Sequence, residues 1–229
     1  FFRLNILILS QYYHPEPVPK PHELAESLHQ RGHNVTVVTG FPNYPTGKFY
    51  SGQKVRPWSI QTQTLNGVRI IRLPLYPDHS RSTWRRVLNY GSFALSASIL
   101  APLMVGVVDV MYVWHPPLTV GVPSVALKWL RRVPFVYGVH DIWPESAVAI
   151  GMLKDNWLVS ILRKFERFVY ARADAVGVVS SGFIDDIASK GVSRSKIHLL
   201  PDWADNSVYY PTPYDTDLAK SKGMFGKFN

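Results

Sequence analysis

The chain has 229 residues, of which 46% are hydrophobic, so it can bury one large core or two small ones and is not intrinsically disordered. Its formal net charge of +9 suggests an anionic partner, such as a nucleic acid, an acidic membrane surface or a phosphorylated substrate. It contains no cysteine, which excludes a disulfide framework, a thiolate zinc site and a cysteine nucleophile.

Apolar strands and amphipathic helices alternate along the chain. The first predicted strand covers 4–9 (LNILIL), because this apolar run is too short for a secretory signal. A helix with one apolar face follows over 21–31 and ends at Gly32, and the second strand covers 34–39. Later strands are predicted at 68–73, 108–114, 134–139, 175–179 and 197–200. Later helices are predicted at 158–169 and 181–190, and Asp155 is the predicted N-cap of the first of them.

This order of elements predicts one α/β domain. Strands that are apolar throughout and alternate with helices indicate a Rossmann-like, doubly wound, mostly parallel sheet with helices on both faces. We expect this domain to cover residues 1–205. The turn-rich segment 206–229 is the expected linker toward a second domain that the sequence does not include.

An uncharged stretch of 22 residues, 87–108, admits three interpretations. Its length alone would allow a membrane-spanning helix. Together with Arg81, Arg85 and Arg86 just before it, it could instead form a helix that touches the membrane surface over 81–108. Its small and polar residues, and the strand predicted directly after it, favour a helix buried against the sheet. Burial is the preferred prediction, and contact with the membrane surface is the alternative.

Polar side chains follow two of the predicted strands. His140 and Asp141 come directly after the strand at 134–139, and His115 follows the strand at 108–114. In open α/β sheets, ligands bind beyond the carboxyl ends of the parallel strands, so both loops face the expected ligand crevice. A His-Asp pair can equally have a capping or structural role, and His115 can be either a contact or a spacer.

The segment GFPNYPTGK, residues 40–48, follows the second strand and reaches the same edge of the sheet. Its two prolines stiffen it, Asn43 offers hydrogen bonds, Tyr44 offers a stacking face, and Lys48 offers a cation for a phosphate. The alternative is a rigid turn with a solvated lysine. Further along, Glu145 lies at a predicted helix start, where the helix dipole alone would explain its charge.

Several segments together resemble a known family. They are QYYHPEP (11–17), ELAESL (23–28), RGHNVTVVT (31–39), GFPNYPTGK (40–48), WHPP (114–117), HDIWPES (140–146) and LPDWAD (200–205). In this order they are similar to the N-terminal half of a retaining family-4 glycosyltransferase with the GT-B fold, of the kind that assembles bacterial capsule, O-antigen and colanic acid. GFPNYPTGK and HDIWPES are the specific segments, whereas RGHNVTVVT is widespread among GT-B enzymes.

The resemblance implies transfer of a hexosyl-type sugar, with retention, from a nucleotide-sugar donor to an acceptor. It implies that this half binds the acceptor, expected to be a polyprenyl-pyrophosphate-linked sugar, and that the missing half binds the donor, so that this half alone is inactive. By resemblance, His140 and Asp141 face the reacting sugar and order the acceptor hydroxyl. The residues expected to contact acceptor or substrate are Asn43, Tyr44, Lys48, His115 and Glu145. No metal or other cofactor is expected, because basic groups and helix N-termini balance the charge of the leaving group.

One departure from the family concerns the loop after the first strand. Many members have glycines there, whereas this chain has EPVPKP over 16–21. The prolines remove backbone amide donors, so Lys20 is the expected phosphate contact in their place.

The sequence also bears on two other classes of function. A nicotinamide or flavin enzyme is disfavoured, because no GxGxxG pattern follows the first strand. The alternative is a non-catalytic α/β module that binds anionic lipid or another polyanion, although no nucleic-acid partner is expected. The preferred hypothesis places the protein in the cytoplasm, at the inner face of the bacterial membrane.

Overall fold

A computed structural model describes residues 2–50, 58–80, 82–204, 206, 209–211 and 217–223, and one sheet of eight strands forms its centre. The strands are β1 (Asn5–Leu9), β2 (Asn34–Gly40), β3 (Gln61–Leu65), β4 (Val68–Leu73), β5 (Val110–His115), β6 (Phe135–Val139), β7 (Ala175–Val178) and β8 (Ile197–Leu199). Their order across the sheet is β3-β4-β2-β1-β5-β6-β7-β8. All neighbours pair in parallel except β3 and β4, so the predicted doubly wound sheet is confirmed.

The direction in which the chain adds strands reverses between β1 and β5. From β1 the chain builds outward through β2 to β4, and it then returns to build through β5 to β8 on the other side. Connections on the two sides of such a switch point diverge and leave a crevice at the carboxyl ends of the strands. The loops after β1 and β5 therefore flank the crevice in which a ligand is expected.

The edge strand β3 is the one that the sequence did not predict. Its residues, QTQTL, are largely exposed, and such a polar strand is hidden from a search for apolar runs. It joins β4 through a tight turn in which Asn66 and Gly67 both have positive φ, 49° and 82°. Asn-Gly is the pair that tolerates this conformation best, so the turn fixes the antiparallel register.

Helices cover both faces of the sheet. They are α1 (Lys20–Gln30), α2 (Thr83–Met104), α3 (Gly121–Arg131), α4 (Glu145–Ala149), α5 (Trp157–Arg172), α6 (Ser181–Ser189) and α7 (Asp217–Ser221). Successive side chains of a strand point to opposite faces. Accordingly, Leu7 and Leu9 join the larger core with Phe93 of α2, whereas Ile8 joins a smaller core with Ala25 of α1.

The N-cap of α5 is Asn156, and the prediction of Asp155 was wrong by one residue. The side-chain oxygen of Asn156 accepts hydrogen bonds from the backbone amides of Leu158 and Val159, at 3.0 and 3.4 Å. Asp155 instead forms an ion pair with Arg163, at 2.8 Å. Both residue types are good caps, so only the backbone geometry decides between them.

The long helix α2 has one buried and one exposed face. Asn89, Phe93 and Ala97 are buried on its inner face, whereas Leu95 and Ile99 are exposed on its outer face. By length and composition the helix could cross a membrane, although 33% of its most apolar window is buried. Burial is therefore confirmed for one face only, and membrane contact over 81–108 stays a prediction.

The predicted linker, 206–229, is only partly within the described residues. They include the short helix α7 (Asp217–Ser221). Its role as a linker stays a prediction, and Arg81 of the predicted membrane contact also lies outside the described residues.

Candidate functional site

Six loops meet along the edge of the sheet formed by the carboxyl ends of its strands. They follow β1, β2, β4, β5, β6 and β8, and cover 10–16, 41–50, 74–80, 116–117, 140–144 and 200–204. We call these loops the rim. GFPNYPTGK and HDIWPES, the two specific segments of the sequence, both begin on it, as expected for the ligand-binding edge of a doubly wound sheet.

His140 is held in one orientation at the end of β6. Its ring stacks on Trp114, with ring centroids 3.7 Å apart and planes 17° from parallel. Its Nε2 lies 3.5 Å from the Tyr112 hydroxyl, and its Nδ1 lies 3.4 Å from Oδ1 of Asp202. Gly138 makes room for this arrangement, because a Cβ there would lie 2.2 Å from the Tyr112 hydroxyl oxygen.

The electrostatic surroundings keep His140 neutral at neutral pH. Burial lowers the pKa of His140 below its ordinary 6.5, although the Asp202 carboxylate opposes this change. Burial also raises the pKa of the Tyr112 phenol, so that group stays protonated. With a proton on Nδ1 facing Asp202, the lone pair of Nε2 is available to a ligand hydroxyl.

The segment after β8 crosses back over the rim. Next to Asp202, the indole N–H of Trp203 donates to Oε2 of Glu23, at 2.7 Å. The Lys20 ammonium donates to the Trp203 carbonyl at 2.6 Å and lies 5.0 Å from the centre of its ring. This segment therefore links the end of β6 to the start of α1. Lys20 is engaged in that link and in an ion pair with Glu23, and its contact with a phosphate stays a prediction.

Asp141 is half-buried on the rim beside His140. Within the part of the chain that the structure describes, its carboxylate makes no hydrogen bond or ion pair with the protein. It is therefore free to bind a ligand, and its role at a reacting sugar stays a prediction.

A buried carboxylate, Glu16, organises the loops after β1 and β2. One of its oxygens accepts from the backbone amide of Tyr13, and the other accepts from the amides of Asn43 and Tyr44, all at 2.9 Å. Burial raises the pKa of Glu16, while the three amides and the charge of Arg72 oppose the change. No local pattern predicts this role, since a glutamate in a proline-rich loop is expected to be solvated.

Asn43 supports the rim from within instead of facing a ligand. Its side chain is fully buried, its amide donates to the Phe41 carbonyl at 2.9 Å, and its oxygen accepts from Asn89 at 3.2 Å. Asn89 also donates to the Tyr76 carbonyl and accepts from Gln11, both at 2.7 Å. These bonds join the loops after β1, β2 and β4 to α2. The expected acceptor contact is corrected to this supporting role, because both polar ends are already engaged.

Tyr44 and Lys48 lie on the outer part of the same loop. The half-buried Tyr44 ring packs 5.2 Å from Tyr12 and 5.0 Å from His79, measured between ring centroids. Lys48 is exposed, and its ammonium has no ion-pair partner among the described residues. Both side chains can be reached from solvent, and their contact with an acceptor stays a prediction.

His115 lies beneath the rim and is only 1% exposed. Its ring packs 5.6 Å from that of Tyr137, and neither ring nitrogen has a hydrogen-bond partner within the described residues. Burial first, and then the charges of His140 and Lys190, lower the pKa of His115 to about 3. The expected ligand contact is corrected, because a ligand cannot reach this side chain; it is a neutral part of the core.

The buried His115 should make the fold sensitive to acid. Its pKa is about 3 in the folded chain and near 6.5 when unfolded, so the unfolded state binds more protons between these values. Stability should therefore fall by about 2 kcal/mol between pH 7 and pH 5. In His115→Phe this part of the loss should disappear, as measured by urea unfolding at both pH values. Equal slopes for the two proteins would contradict the prediction.

Glu145 belongs to a cluster of charged groups that joins α4, α5 and α6. It lies 3.0 Å from Nε of Arg163 and 3.4 Å from the Lys190 ammonium. Lys190 also binds Glu166 at 3.0 Å and Asp186 at 2.9 Å. Although burial opposes it, the hydrogen bond from Arg163 and the charge of Lys190 lower the pKa of Glu145. Glu145 thus has a structural role, and ligand contact stays a prediction.

Across the described ranges, no group of three His, Asp or Glu side chains is placed to hold a metal ion. The residues that the sequence did not single out are Asp202, Glu16 and Asn89. Asp202 lies within LPDWAD, so its segment was marked, but its pairing with His140 depends on contact across 62 positions of sequence.

The family model described as "Glycosyl transferase 4-like domain" matches residues 19–203. WcaI of Escherichia coli (strain K12), which is named for glycosyl transfer in colanic acid biosynthesis, is 26% identical over 216 residues, covering 88% of this chain and 51% of WcaI. WbjE of Pseudomonas aeruginosa, named as a glycosyltransferase, is 27% identical over 88 residues, covering 38% of this chain and 22% of WbjE. The chain thus spans about half the length of WcaI.

Solved structures share the fold at low sequence identity. Sucrose-phosphate synthase from Thermosynechococcus elongatus superposes with a TM-score of 0.63 at 15% identity, over 96% of this chain and 53% of that one. Anabaena HepE, solved in complex with UDP-glucose, superposes with a TM-score of 0.57 at 14% identity, over 96% of this chain and 50% of that one. In each case this chain corresponds to about half of the larger protein.

Proposed function

Because this chain belongs to the glycosyl transferase 4-like domain family, we propose that it is the acceptor-binding half of an enzyme that transfers a sugar from a nucleotide-sugar donor to a lipid-linked acceptor. The placement of His140 carries the proposal: an oriented, neutral imidazole lies at the ligand-binding edge of the sheet, beside Asp141, whose carboxylate has no partner among the described residues. HepE, solved in complex with UDP-glucose and with UDP, shares the fold, which supports a nucleotide-sugar donor.

In this proposal His140 orders the acceptor hydroxyl. Asp202 holds the proton on Nδ1, so Nε2 can accept a hydrogen bond from the hydroxyl. The long contact of Nε2 with the Tyr112 hydroxyl, 3.5 Å, is weak enough to be exchanged for one with substrate. Asp141 contacts the reacting sugar from the next position along the rim.

The chemistry that follows is transfer with retention. The acceptor oxygen forms a bond to the anomeric carbon on the face from which the donor phosphate departs, while the bond from that carbon to the phosphate oxygen breaks and the hydroxyl proton passes to Nε2 of His140. Neither His140 nor Asp141 acts as a nucleophile in this scheme. Basic groups and helix N-termini stabilise the departing phosphate without a metal ion. The transferred group is a hexosyl-type sugar.

The basic charge and the exposed face of α2 support a location at the membrane. A net charge of +9 favours an anionic surface, and a long apolar helix face accompanied by arginines is typical of helices that lie on a bilayer. In this proposal the protein works in the bacterial cytoplasm at the inner face of the membrane. Its acceptor is a sugar linked to a polyprenyl pyrophosphate.

A transfer assay tests the proposed function. The complete protein is incubated with UDP- or GDP-linked sugars and a prenyl-diphosphate-linked sugar, and the product is identified by mass. We expect a longer glycan to form and to keep forming in excess chelator, whereas the 229-residue chain alone forms none. No product with any donor would overturn the proposed function, and loss of product in chelator would overturn metal independence.

A further inference from the structure

An apolar groove runs between α2 and the segment that follows β4. It encloses about 500 Å³, and its walls include Phe49, Pro74, Tyr76, Leu95 and Ile99. This volume lies within the range of small-molecule pockets in proteins. Phe49 comes from the loop after β2, so the groove starts at the rim and continues along the outer side of α2.

The polar groups in the groove are already bonded to the protein. The Ser92 hydroxyl accepts from the Tyr76 amide at 2.8 Å and donates to the Asn89 carbonyl at 3.0 Å. The Ser96 hydroxyl donates to the Pro74 carbonyl at 2.6 Å. A peptide laid in the groove would find no free hydrogen-bonding group there for its own backbone, and unpaired backbone groups oppose binding. The groove therefore suits an occupant without hydrogen-bonding groups, which is a hydrocarbon chain.

The groove opens onto an unusual stripe of exposed apolar side chains. Trp84, Leu88, Leu95, Ile99 and Leu103 follow one another at spacings of a helical turn or two along α2, and they are 43–78% exposed. No charged residue interrupts the helix after Arg86. A continuous apolar surface of this kind marks a binding surface in a folded protein.

The charged side chains of α2 itself lie only at the rim end of this stripe, whereas Arg69 and Arg131, at the other end of the helix, donate to backbone carbonyls there. Arg85 and Arg86 lie in the first turn of α2, close enough to Asp78 and His79 of the rim to influence their pKa values. An amphipathic molecule with phosphates at one end and hydrocarbon at the other matches this arrangement. Arg85 and Arg86 would face the phosphates, and the groove would hold the hydrocarbon.

The distance to the proposed reaction site also fits. The groove adjoins β4, and His140 follows β6, which is four strand spacings away across the sheet, or about 19 Å at about 4.8 Å each. A pyrophosphate bearing one or two sugars bridges a gap of this size. The reacting hydroxyl would then reach His140 while the hydrocarbon remains in the groove.

We propose that the groove between α2 and residues 74–77 binds the hydrocarbon of the lipid-linked acceptor next to its phosphates. The inference rests on the proposed function, because it takes the acceptor to be a lipid. It adds the place at which the chain recognises the lipid part of that acceptor.

Binding of farnesyl diphosphate to the 229-residue chain, measured by calorimetry below its aggregation concentration, tests the groove. Leu95→Asn and Ile99→Asn should each weaken binding about tenfold, which is about 1.4 kcal/mol, since each replaces part of the apolar wall that the hydrocarbon would cover. Leu103→Asn is the matched control, because Leu103 belongs to the same stripe but does not line the groove. It should change the Kd less than twofold. All three positions are exposed, so unchanged thermal unfolding is expected.

Three results of the binding experiment, and one result on the oligomeric state, would overturn the groove proposal. In the first, the unaltered chain does not bind farnesyl diphosphate. In the second, all three variants weaken its binding equally. In the third, inorganic pyrophosphate displaces it completely, which would assign the binding to charge alone. A dimer that Leu95→Asn dissociates would assign the groove to a second copy and would also overturn it. If the complete protein transfers sugar but the chain does not bind the prenyl compound, the groove proposal is wrong and the proposed function stands. If the groove binds the prenyl compound but the complete protein transfers no sugar, the proposed function is wrong and the groove remains a prenyl-binding site.

Discussion

Replacing His140 by alanine should lower the kcat of sugar transfer by the complete protein by about 100- to 10,000-fold, the range found for a side chain that exchanges a proton or hydrogen bond with the reacting group. The acceptor hydroxyl would lose the group that orders it, while the surrounding strands would keep their packing. His140→Gln should be similarly inactive, because it fills the space on Trp114 without supplying a basic nitrogen. Initial rates at saturating substrate, with the melting temperature as a check on folding, measure the effect.

The pH profile distinguishes the roles of His140 and Asp202. Burial holds the pKa of His140 below 6.5, so kcat should fall only as the pH drops through that lowered value and the imidazole gains a proton. Asp202 opposes the lowering, so Asp202→Asn should move the acid limb of the profile to still lower pH. Asp185→Asn, which removes an exposed carboxylate on α6, should leave the profile unchanged.

Retention of more than a tenth of the kcat by His140→Ala, with normal folding, would contradict its assigned role. A shift of the acid limb to higher pH in Asp202→Asn would contradict the pairing of the two side chains. Since a purely structural residue would alter stability and not the pH profile, these outcomes separate positioning of His140 from support of the fold.

Replacing Lys190 by methionine should lower the free energy of unfolding by about 3–5 kcal/mol, because it leaves a buried charge without its partner. Lys190 is 8% exposed and lies 3.0 Å from Glu166, which is 1% exposed. The Tyr170 hydroxyl also donates to Glu166, but one hydrogen bond does not replace an ammonium. Urea unfolding of both proteins at pH 7 measures the loss.

The stability lost in Lys190→Met should grow as the pH rises. Burial raises the pKa of Glu166, and without Lys190 that pKa rises further above its unfolded value. The folded variant then binds more protons than the unfolded chain, so its stability falls as the pH rises from 5 to 8. The pKa of Lys190 is itself raised: burial opposes this, but its acidic partners prevail. The contribution of Lys190 to the stability of the unaltered protein is therefore constant between pH 5 and pH 8.

Two variants serve as controls for the Lys190 prediction. Lys128→Met removes the cation of a more exposed ion pair with Asp174 and should cost less than about 1 kcal/mol. Adding Glu166→Gln to Lys190→Met should recover part of the loss, because no uncompensated charge then remains. A deficit below about 1 kcal/mol for Lys190→Met, or one that shrinks as the pH rises, would be inconsistent with the structure.

The pattern of apolar residues along the chain was sufficient to predict the architecture and the edge of the sheet at which the site lies. The run 134–139 is apolar throughout, and only a covered, mostly parallel sheet buries both faces of such a strand. Once the strands are parallel, the residues after them must share one edge. That is why HDIWPES and GFPNYPTGK could be placed on the rim before any coordinates were known.

The roles of individual rim residues depended on contacts that no local pattern encodes. His115 and Asn43 lie at strand ends just as His140 does, but the assembled fold buries both side chains, so they support the site from within. Asp202 acquires its role because the segment after β8 folds back across the rim, and Glu16 acquires its role because backbone amides of two loops converge on it. The spacing of the hydrophobic residues along a helix or strand determines which of its sides is buried. Which polar side chain remains exposed to a ligand is decided only when distant segments pack against it, because burial and pairing are properties of the assembled fold.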